Sequence, residues 1–568
     1  MGIDAMKATM GLAALAMGTS MYMKSRNKAA KLLKPAYAYS GSAQDRHAYF
    51  VGGGLASLSG AAYLIRDCGF KGENIHIYEG LPILGGSNDG IGSVEGGFVC
   101  RGGRMLQEET YENFWELFRS IPSLDSPGKS LTDEILDFDH AHGTCSRARL
   151  VNLEREIIDT TTMGFNNGDR MMLLKVLATP YADLDDVTID DWFKHQPHIY
   201  ETNFWYMWQT TFAFQKWSSL FEFKRYMRRM MFTFQTMETL EAITRTPLDQ
   251  YDSIIVPLKA FLDTHKVDFT VKCTVTDIDF KEGAGITATR IHYQRDGRQP
   301  ESQEVREQDL CLITNGCMTD RATLGDLHTP AAWAPENPIS GNLWAKVAAK
   351  KQGLGNPAPF FDKPEESNWE SFTVTMRGDR LLRSITKFTS NIPGNGALCT
   401  FRDSQWLMSY VVATQPHFKG QTDDVTIFWG YALNSDCPGD FIKKPMRECT
   451  GAEIFDELMY HLRMQDENHK ADIINVIPCM MPYTTAHFQP RKMSDRPKVV
   501  PDGSTNFALI SQFVEIEDEM SFTEEMSVRA ARMAVYQLTG YNKKQVCPVT
   551  PYWNQPKTIL ACIKKSFE

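Results

Sequence analysis

The pattern of apolar and polar positions near the start of the chain predicts a βαβ unit. Residues 47–79 read HAYFVGGGLASLSGAAYLIRDCGFKGENIHIYE. An apolar run enters three glycines, apolar residues then recur at helical spacing from Leu55 to Ile65, and a second apolar run ends at the acid Glu79. Two short strands joined by a helix predict a parallel sheet, and therefore an α/β fold.

Other stretches have different periods and predict further layers. The aromatic-rich stretch at 204–232 has helical spacing and predicts either the core of a helical bundle or the wall of an elongated apolar tunnel. Apolar runs at 407–412 and 425–429 predict strands of a second sheet. Residues 256–280 again have a βαβ pattern, and 506–538 have the pattern of a strand followed by a helix.

The glycines of the first unit indicate a dinucleotide site rather than a plain glycine-rich loop. Gly52 permits the tight turn, Gly54 permits the close approach of a pyrophosphate, and small Ser57 permits close packing of helix on sheet. The N-terminus of the helix then faces the phosphates. Glu79, at the end of the second strand, is placed to accept hydrogen bonds from ribose hydroxyls.

A second glycine-rich, cationic stretch favours a flavin dinucleotide over NAD. Its residues are Gly85, Gly86, Ser87, Arg101, Gly102, Gly103 and Arg104. Backbone amides and positive charges in this stretch suit a cofactor whose phosphates and ring both need to be enclosed. The predicted architecture is α/β: an FAD-binding Rossmann-like domain, split along the chain, with a mixed β-sheet substrate domain and a helical aromatic-rich section.

Composition narrows the choice of partners. The 568 residues include 60 Lys and Arg and 70 Asp and Glu, for a net charge of -10, which argues against nucleic acid. The twelve cysteines form no CxxC pair, which predicts reduced thiols in an intracellular, reducing compartment. The zinc-protease, P-loop and nucleophile-elbow motifs are absent. The histidine pairs at 140/142 and 195/198 are interpreted as loop residues, so no metal site is expected.

The two ends of the chain differ in charge pattern from the rest. Residues 5–44 contain six Lys and Arg and no acid, and their uncharged stretch at 8–23 is shorter than the roughly 20 residues of a spanning helix. This predicts organelle targeting, attachment to a membrane surface, or a disordered tail. Residues 553–567 mix apolar side chains with Lys, which predicts either a segment at a membrane surface or a terminal helix packed on the body.

A series of ordered motifs resembles the fatty acid (oleate) hydratase family, formerly called the myosin-cross-reactive antigen family. Besides the βαβ unit and the Arg101-Gly-Gly-Arg104 run, the matching segments are TPLDQYDS (246–253), TNGCMTD (314–320), QPHF (415–418), KKPM (443–446), ECTG (448–451) and QF (512–513). The resemblance covers residues 45–545. It implies that Gln512 and Phe513 contact FAD, and that water is added to the cis double bond of long-chain unsaturated free fatty acids, giving 10-hydroxystearate from oleate without net redox change.

The resemblance also implies a tyrosine that donates a proton to the alkene. Tyr226 occupies that position, in the run EFKRY. We expect the cationic neighbours Arg225, Arg228 or Arg229 to lower the pKa of Tyr226. The alternative is that Tyr226 is an aromatic residue packed on a core helix.

The water-orienting carboxylate of the family is missing from its usual place. The family has Glu directly after the Arg-Gly-Gly-Arg run, whereas this chain has Met105 there, and the acids Glu108 and Glu109 follow after two intervening residues. We assign the catalytic role to Glu108 or, failing that, to Glu109. The alternative is that both are solvated acids favoured by the dipole at a helix N-terminus.

The expected contacts of the substrate carboxylate also differ from those of the family. The family places Thr, Asn and His on a strand leading into QPHF, but this chain has Val411 and Ala413 at the first two positions and keeps His417. We expect His417 to bind the carboxylate with help from Thr414, and Met105 to contact the substrate. The alternative for His417 is a structural loop histidine.

Together these predictions divide the chain into seven segments. They are an N-terminal extension (1–44), the first part of the FAD domain (45–145), a helical substrate-tunnel section (146–250), the central part of the FAD domain (251–330), a substrate-binding sheet domain (331–495), the last part of the FAD domain (496–545) and an amphipathic tail (546–568).

Two other functions fit the same sequence. A redox flavoenzyme acting on a lipid, whether oxidase, desaturase or isomerase, has the same dinucleotide pattern. A protein that binds flavin and fatty acid without turnover fits the absence of Glu at Met105. The sequence leaves open the preferred chain length of the substrate and whether the protein is a monomer or a homodimer.

Overall fold

A computed structural model describes residues 42–101, 105–396, 398–465 and 467–568. The prediction of targeting or membrane attachment for 1–44 therefore lies almost entirely outside the described residues. The strands are β1 (Ala48–Val51), β2 (Ile75–Tyr78), β3 (Gly90–Ser93), β4 (Gly97–Cys100), β5 (Leu150–Val151), β6 (Asp268–Thr270), β7 (Cys273–Phe280), β8 (Ala288–Arg295), β9 (Glu301–Glu304), β10 (Leu310–Ile313), β11 (Thr323–Leu324), β12 (Trp369–Arg377), β13 (Leu398–Phe401), β14 (Met408–Val411), β15 (Val425–Ala432), β16 (Ile473–Met481) and β17 (Phe507–Leu509).

The α-helices begin and end mostly at polar or glycine residues that satisfy their terminal backbone groups. They are α1 (Leu55–Arg66), α2 (Glu112–Phe118), α3 (Leu131–Ala141), α4 (Asn167–Ala178), α5 (Ile189–Phe193), α6 (Asn203–Phe212), α7 (Leu220–Arg229), α8 (Val256–Thr264), α9 (Ile339–Lys350), α10 (Ala358–Phe361), α11 (Pro364–Ser367), α12 (Arg380–Thr389), α13 (Gly451–Leu462), α14 (Glu467–Ala471), α15 (Glu524–Thr539) and α16 (Pro556–Phe567). For example, the Thr523 side chain accepts a hydrogen bond at the start of α15, and Gly540 ends that helix at a φ of 71°.

One sheet is entirely parallel, in the order β17-β10-β1-β2-β6. All five strands are short, and the central strands β1 and β10 are continuously apolar and buried, as expected when helices cover both faces. The edge strand β6 (Asp-Phe-Thr) is partly exposed. They come from three stretches that are far apart in the chain. The expected dinucleotide-type α/β sheet is confirmed.

A second sheet is mixed, in the order β11-β16-β12-β15-β14-β13-β5, with only the β13–β5 pair parallel among the described strands. Side chains alternate across it. Trp429 and Tyr431 of β15 face the aromatic helices, whereas Phe428 faces α12 and α13. The expected mixed sheet is also confirmed, and it separates two of the hydrophobic cores.

Local details depart from the predicted elements. The pattern at 256–280 predicts one βαβ unit, but α8 leads into β6 of the parallel sheet, while β7 joins β8 and β9 in a separate antiparallel sheet. The strand predicted at 506–513 has only three paired residues, and 510–513 continue as a loop. Apolar runs do not show where strand pairing stops, because that depends on the partner strand.

The C-terminal segment forms α16, which packs on the body. Ile559 is buried, and the Lys565 ammonium lies 2.7 Å from a carboxylate oxygen of Glu238. The opposite side of the helix exposes Lys557, Leu560 and Lys564, so contact with a membrane surface stays a prediction. Among the described residues, no helix combines the length and apolar character needed to cross a membrane.

A buried ion cluster fixes helix α7. The carboxylate of Glu222 lies 2.7 Å from the Arg491 guanidinium and 3.3 Å from that of Arg496, and all three side chains are inaccessible to solvent. Burial alone would raise the pKa of Glu222, but Arg496, Arg491 and Arg225 lower it to about 2. The carboxylate is therefore ionised and holds α7 against the segment that precedes β17.

Replacing Glu222 by Gln is expected to lower the free energy of unfolding by about 3–5 kcal/mol, because it leaves the buried Arg496 guanidinium without its paired carboxylate. Urea unfolding of the full chain measures the change. Asp137→Asn is the control: it breaks the exposed pair with Lys129 at 2.9 Å and should cost less than about 1 kcal/mol. A loss as small as that of the control would show that the cluster does not hold α7.

Candidate functional site

The turn between β1 and α1 can be made only by a glycine at position 52. Gly52 has a φ of 92°, and a Cβ atom there would lie 2.1 Å from the Thr314 hydroxyl oxygen. That hydroxyl donates a 2.8 Å hydrogen bond to the Val51 carbonyl oxygen. The turn is thus fixed from β10, the neighbouring strand, and the backbone at the start of α1 stays open.

A second glycine loop lies directly against the first. Gly85 donates a backbone hydrogen bond of 3.0 Å to Gly53, and a Cβ atom on Gly86 would lie 3.1 Å from the Cα of Gly54. Side chains at these positions would separate the loops. The two loops and the N-terminus of α1 form a cradle of backbone amides, which is the type of site that binds phosphates.

Glu79 holds this cradle together. Its carboxylate accepts hydrogen bonds from the Gly53 amide at 2.6 Å and the Leu81 amide at 2.8 Å. Burial raises the pKa of Glu79. The sequence predicts that Glu79 accepts hydrogen bonds from ribose hydroxyls. In the structure each of its carboxylate oxygens accepts a hydrogen bond from a backbone amide. Glu79 also lines the adjoining cavity.

The cradle opens into a cavity of about 1490 Å³, here called the glycine-loop cavity. Its lining includes nine of the predicted cofactor residues: Gly52, Gly54, Glu79, Gly85, Gly86, Ser87, Arg101, Gln512 and Phe513. Ser57 is buried beneath the turn and does not line the cavity. Gly102, Gly103 and Arg104 lie outside the described residues. The space and the amide cradle fit a dinucleotide.

A second space of about 1600 Å³, here called the central cavity, adjoins the first. Apolar atoms form most of its surface, but about half of the lining residues are polar, and five of these carry ionisable charges: Asp89, Arg101, Arg245, Asp249 and Glu524. Tyr226, Met105, Thr414 and His417 line it, as predicted for the substrate site. The residues that line both cavities are Ser87, Asn88, Arg101, Met318, Gln512 and Glu524.

Tyr226 is buried in the wall of the central cavity. Its hydroxyl donates a hydrogen bond to the Ser521 carbonyl oxygen, and its ring packs against Phe212, Phe214 and Phe488. Burial, and then the charge of Glu222, raise the pKa of Tyr226 well above its usual value. The phenol therefore keeps its proton at neutral pH.

The expectation that neighbouring arginines lower the pKa of Tyr226 is wrong. Arg225 pairs with Glu515, Arg228 lies 3.2 Å from Asp518, and the Arg229 guanidinium lies 2.7 Å from Glu112 and 3.2 Å from Glu519. These carboxylates neutralise the three guanidinium groups. Sequence neighbours on a helix point in different directions, so adjacency in the chain did not predict which charges act on the phenol.

Glu108 and Glu109 do not line the central cavity. The Glu108 carboxylate is half exposed and lies 2.9 Å from the His140 ring, and Glu109 is exposed. Met105 does line the cavity, and its carbonyl oxygen accepts a hydrogen bond from Tyr111. The structure thus brings Met105 and Tyr226 to one space and leaves both predicted acids at the surface.

Arg245 is a charged residue of the central cavity that sequence reasoning missed. Both terminal nitrogens of its guanidinium are buried without a hydrogen-bond partner among the described residues. Burial lowers the pKa of Arg245 to about 10, so the group is cationic at neutral pH. Burial and the charge of Arg245 lower the pKa of His417 to about 4. The imidazole is therefore neutral, and Arg245 is the cation beside it.

Cys100, Asp249 and His417 meet in the same wall. One potential ligand atom from each lies within 4.8 Å of the others, a spacing compatible with a metal ion. The neighbouring Arg245 charge opposes a cation there. Burial, opposed in part by a hydrogen bond from the Tyr251 amide, raises the pKa of Asp249 to about 7. This wall therefore suits an anion better than a cation.

Comparison with known sequences gives consistent results over nearly the whole chain. The MCRA family model matches residues 45–536. A linoleate hydratase of Lactiplantibacillus plantarum is 37% identical over 563 residues, covering 92% of this chain and 98% of that protein. An oleate hydratase of Streptococcus pyogenes serotype M49 (strain NZ131) is 36% identical over 540 residues, covering 91% of each chain.

Comparison with solved structures shows the fold. Cyclohexylamine oxidase from Brevibacterium oxydans IH-35A superposes with a TM-score of 0.52 at 13% identity, covering 87% of this chain and 99% of that one. At that identity the similarity extends to the arrangement of helices and strands and not to the chemistry of the site.

Replacing Asp249 by Asn is expected to stabilise the protein more at pH 8 than at pH 5. The folded protein keeps a proton on Asp249 up to about pH 7, whereas the unfolded chain loses it near pH 4. Wild-type stability therefore falls as the pH rises through this window. Asn carries no such cost. The free energy of unfolding of Asp249→Asn, relative to that of the wild type, should therefore increase by about 2–3 kcal/mol between pH 5 and pH 8.

Urea unfolding at several pH values measures this difference. The exposed Asp502, paired with Lys498 at 2.6 Å, provides the control: its change to Asn should stay within about 1 kcal/mol. If the difference in the free energy of unfolding between Asp249→Asn and the wild type were the same at every pH, it would contradict a protonated Asp249 in the folded protein.

Proposed function

This chain belongs to the MCRA family, and on that premise we propose that it adds water to the cis double bond of long-chain unsaturated free fatty acids, converting oleate to 10-hydroxystearate with FAD bound. The observation that carries the proposal is the central cavity, whose mostly apolar surface includes a protonated buried tyrosine and an arginine with terminal nitrogens that have no hydrogen-bond partner among the described residues. A fatty acid is an apolar chain with one anionic end, so its binding site needs an apolar surface for the chain and a cationic group for the carboxylate.

The residues that would hold FAD are those of the glycine-loop cavity. The amide cradle at Gly52, Gly54 and Gly86 suits the pyrophosphate, Phe513 lines the same cavity, and Gln512 lines both cavities. When bound, FAD would supply a polar surface to the site and would be neither oxidised nor reduced in the overall reaction. The substrate end of the site is formed by this chain's own residues.

Tyr226 is the proposed proton donor. A general acid must carry its proton at the working pH and lie against the substrate. The raised pKa ensures the first condition, and the position of Tyr226 in the cavity wall meets the second. Its hydroxyl would turn from the Ser521 carbonyl oxygen to the alkene. The apolar wall excludes the competing water and fixes the position of the acyl chain.

Arg245 is the proposed binding group for the substrate carboxylate, with neutral His417 and Thr414 beside it. A buried guanidinium with two unsatisfied terminal nitrogens can donate two hydrogen bonds to one carboxylate. Binding by Arg245 would replace the contacts of the polar side chains that the family has at the positions of Val411 and Ala413. The carboxylate would neutralise the buried charge.

The purified protein with FAD is expected to convert oleate to a product heavier by one water, measured by mass spectrometry, with no consumption of oxygen or NAD(P)H. Tyr226→Phe should lower turnover by about 10²–10⁴-fold at unchanged FAD content, because it removes the proton donor. Tyr431→Phe is the matched control, since Tyr431 lines the same cavity and also donates to a main-chain carbonyl, that of Thr210.

The outcomes separate the three functions that the sequence allows. A requirement for an external electron acceptor, or bleaching of the flavin by substrate, would identify a redox enzyme instead. Binding of oleate without any product would identify a binding protein. Full activity of Tyr226→Phe would remove the role assigned to that residue.

Replacing Arg245 by Gln is expected to raise the KM for oleate by about 10–100-fold, because a charged hydrogen-bonding pair is lost. The methyl ester of oleate provides the internal control, since it carries no charge and should respond little to the change. Product formation over a range of substrate concentrations measures both. An equal effect on acid and ester would show that Arg245 acts on the shape of the cavity rather than on the carboxylate.

A further inference from the structure

Hydration needs a group that binds the attacking water and accepts one of its protons. This group must lie where the alkene, the water and the Tyr226 proton can meet. Neither Glu108 nor Glu109 lies there, and Met105, which does line the cavity, cannot accept a proton. The structure must therefore supply the acceptor from another part of the chain.

We propose that Glu524 is this catalytic base; the inference rests on the proposed function. Of the described residues that line both the central and the glycine-loop cavities, Glu524 is the acidic one. Its side chain is 6% exposed. It therefore faces the junction of the two cavities, where a substrate beside the cofactor would lie.

The surroundings of Glu524 orient its carboxylate and favour its charge. The Asn88 side-chain amide donates a hydrogen bond to one carboxylate oxygen. Glu524 is also the first residue of α15, a helix of sixteen residues, so the positive end of the helix dipole acts on it. The hydrogen bond orients the carboxylate, and the helix dipole acts against the cost of burying its charge.

The proton donor and Glu524 are positioned by one short segment. The Tyr226 hydroxyl is bound to the carbonyl oxygen of Ser521, three residues before Glu524. Between them, Thr523 caps α15 and its carbonyl oxygen accepts a 3.0 Å hydrogen bond from Gln512. The segment 521–524 therefore presents the acid and the base to the same region of the cavity.

The other acids near this region belong to other interactions or to another part of the wall. Glu525 accepts hydrogen bonds from the Asn113 and Phe114 amides and pairs with Arg529 at 2.9 Å. Asp89 lies 2.9 Å from the Arg101 guanidinium. Asp249 belongs to the wall beside His417, where the carboxylate end of the substrate is proposed to bind.

The proposed step conserves atoms and electrons. The Tyr226 proton bonds to one alkene carbon through the π electron pair, the water oxygen bonds to the other carbon, and a water proton passes to Glu524. Transfer of that proton from Glu524 to the Tyr226 phenolate then restores both groups. One molecule of water has been added, and no oxidant or reductant is needed.

The test compares variants of Glu524 in the full chain loaded with FAD. Glu524→Gln is expected to lower kcat for oleate hydration by about 10²–10⁴-fold, with the KM within about threefold and the FAD content unchanged. Glu524→Asp and Glu524→Asn form a second pair of equal size that differ in charge, and Asp alone should keep partial activity. Loss of the acidic limb of the kcat–pH profile in Glu524→Gln would further mark the loss of a base.

Glu108→Gln and Glu109→Gln are the matched controls and should keep activity within about threefold. Wild-type activity in Glu524→Gln, or equal activity of the Asp and Asn variants, would overturn the assignment and leave the proposed hydratase function intact. Loss of activity in Glu108→Gln alone would return the role to that residue. An inactive wild-type protein would overturn the proposed function itself, so the two failures are distinguishable.

Discussion

The buried carboxylate of Glu222 is the interaction on which the geometry of the site depends. It joins α7, which carries Tyr226, to Arg491 and Arg496 in the chain leading toward β17. Because the strands of the parallel sheet and the aromatic helices come from different stretches, packing alone leaves their relative position adjustable. Paired charges without access to water allow few alternative arrangements. The distance between Tyr226 and the glycine loops is set in this way.

The structure distributes its buried charges in two different ways. Each guanidinium carried by α7 is matched by a carboxylate, so those charges serve the fold. In the central cavity the terminal nitrogens of Arg245 have no hydrogen-bond partner among the described residues. A protein keeps a buried charge in that state only at a cost of several kcal/mol. That cost is offset when an anionic ligand binds, which couples substrate binding to the charge state of the site.

The sequence predicted the parts of the site that depend on local structure, and missed those that depend on tertiary packing. The glycine turn at Gly52 and the loop at Gly85 follow from short-range conformational rules, and the structure places both at one cavity. By contrast, Arg245 is noteworthy because its terminal nitrogens have no hydrogen-bond partner among the described residues, which no sequence pattern reveals. Glu524 stands in an acid-rich stretch, and only the fold separates it from Glu525 beside it. The two-residue strands β5 and β11 were too short for any periodicity to predict.

The origin of the parallel sheet in three distant stretches has a consequence for how the protein is made. β1 lies at the centre of the sheet, but its neighbour β10 and the adjoining β17 are synthesised far later. At ribosomal rates of about 5–20 residues per second, about 20–90 s separate the emergence of β1 from that of β17. For about the first half of that time one edge of β1 lacks β10, its native partner, and the glycine-loop cavity lacks Gln512 and Phe513 until the segment after β17 emerges. The helical section and the mixed sheet, encoded in between, are therefore available to fold first.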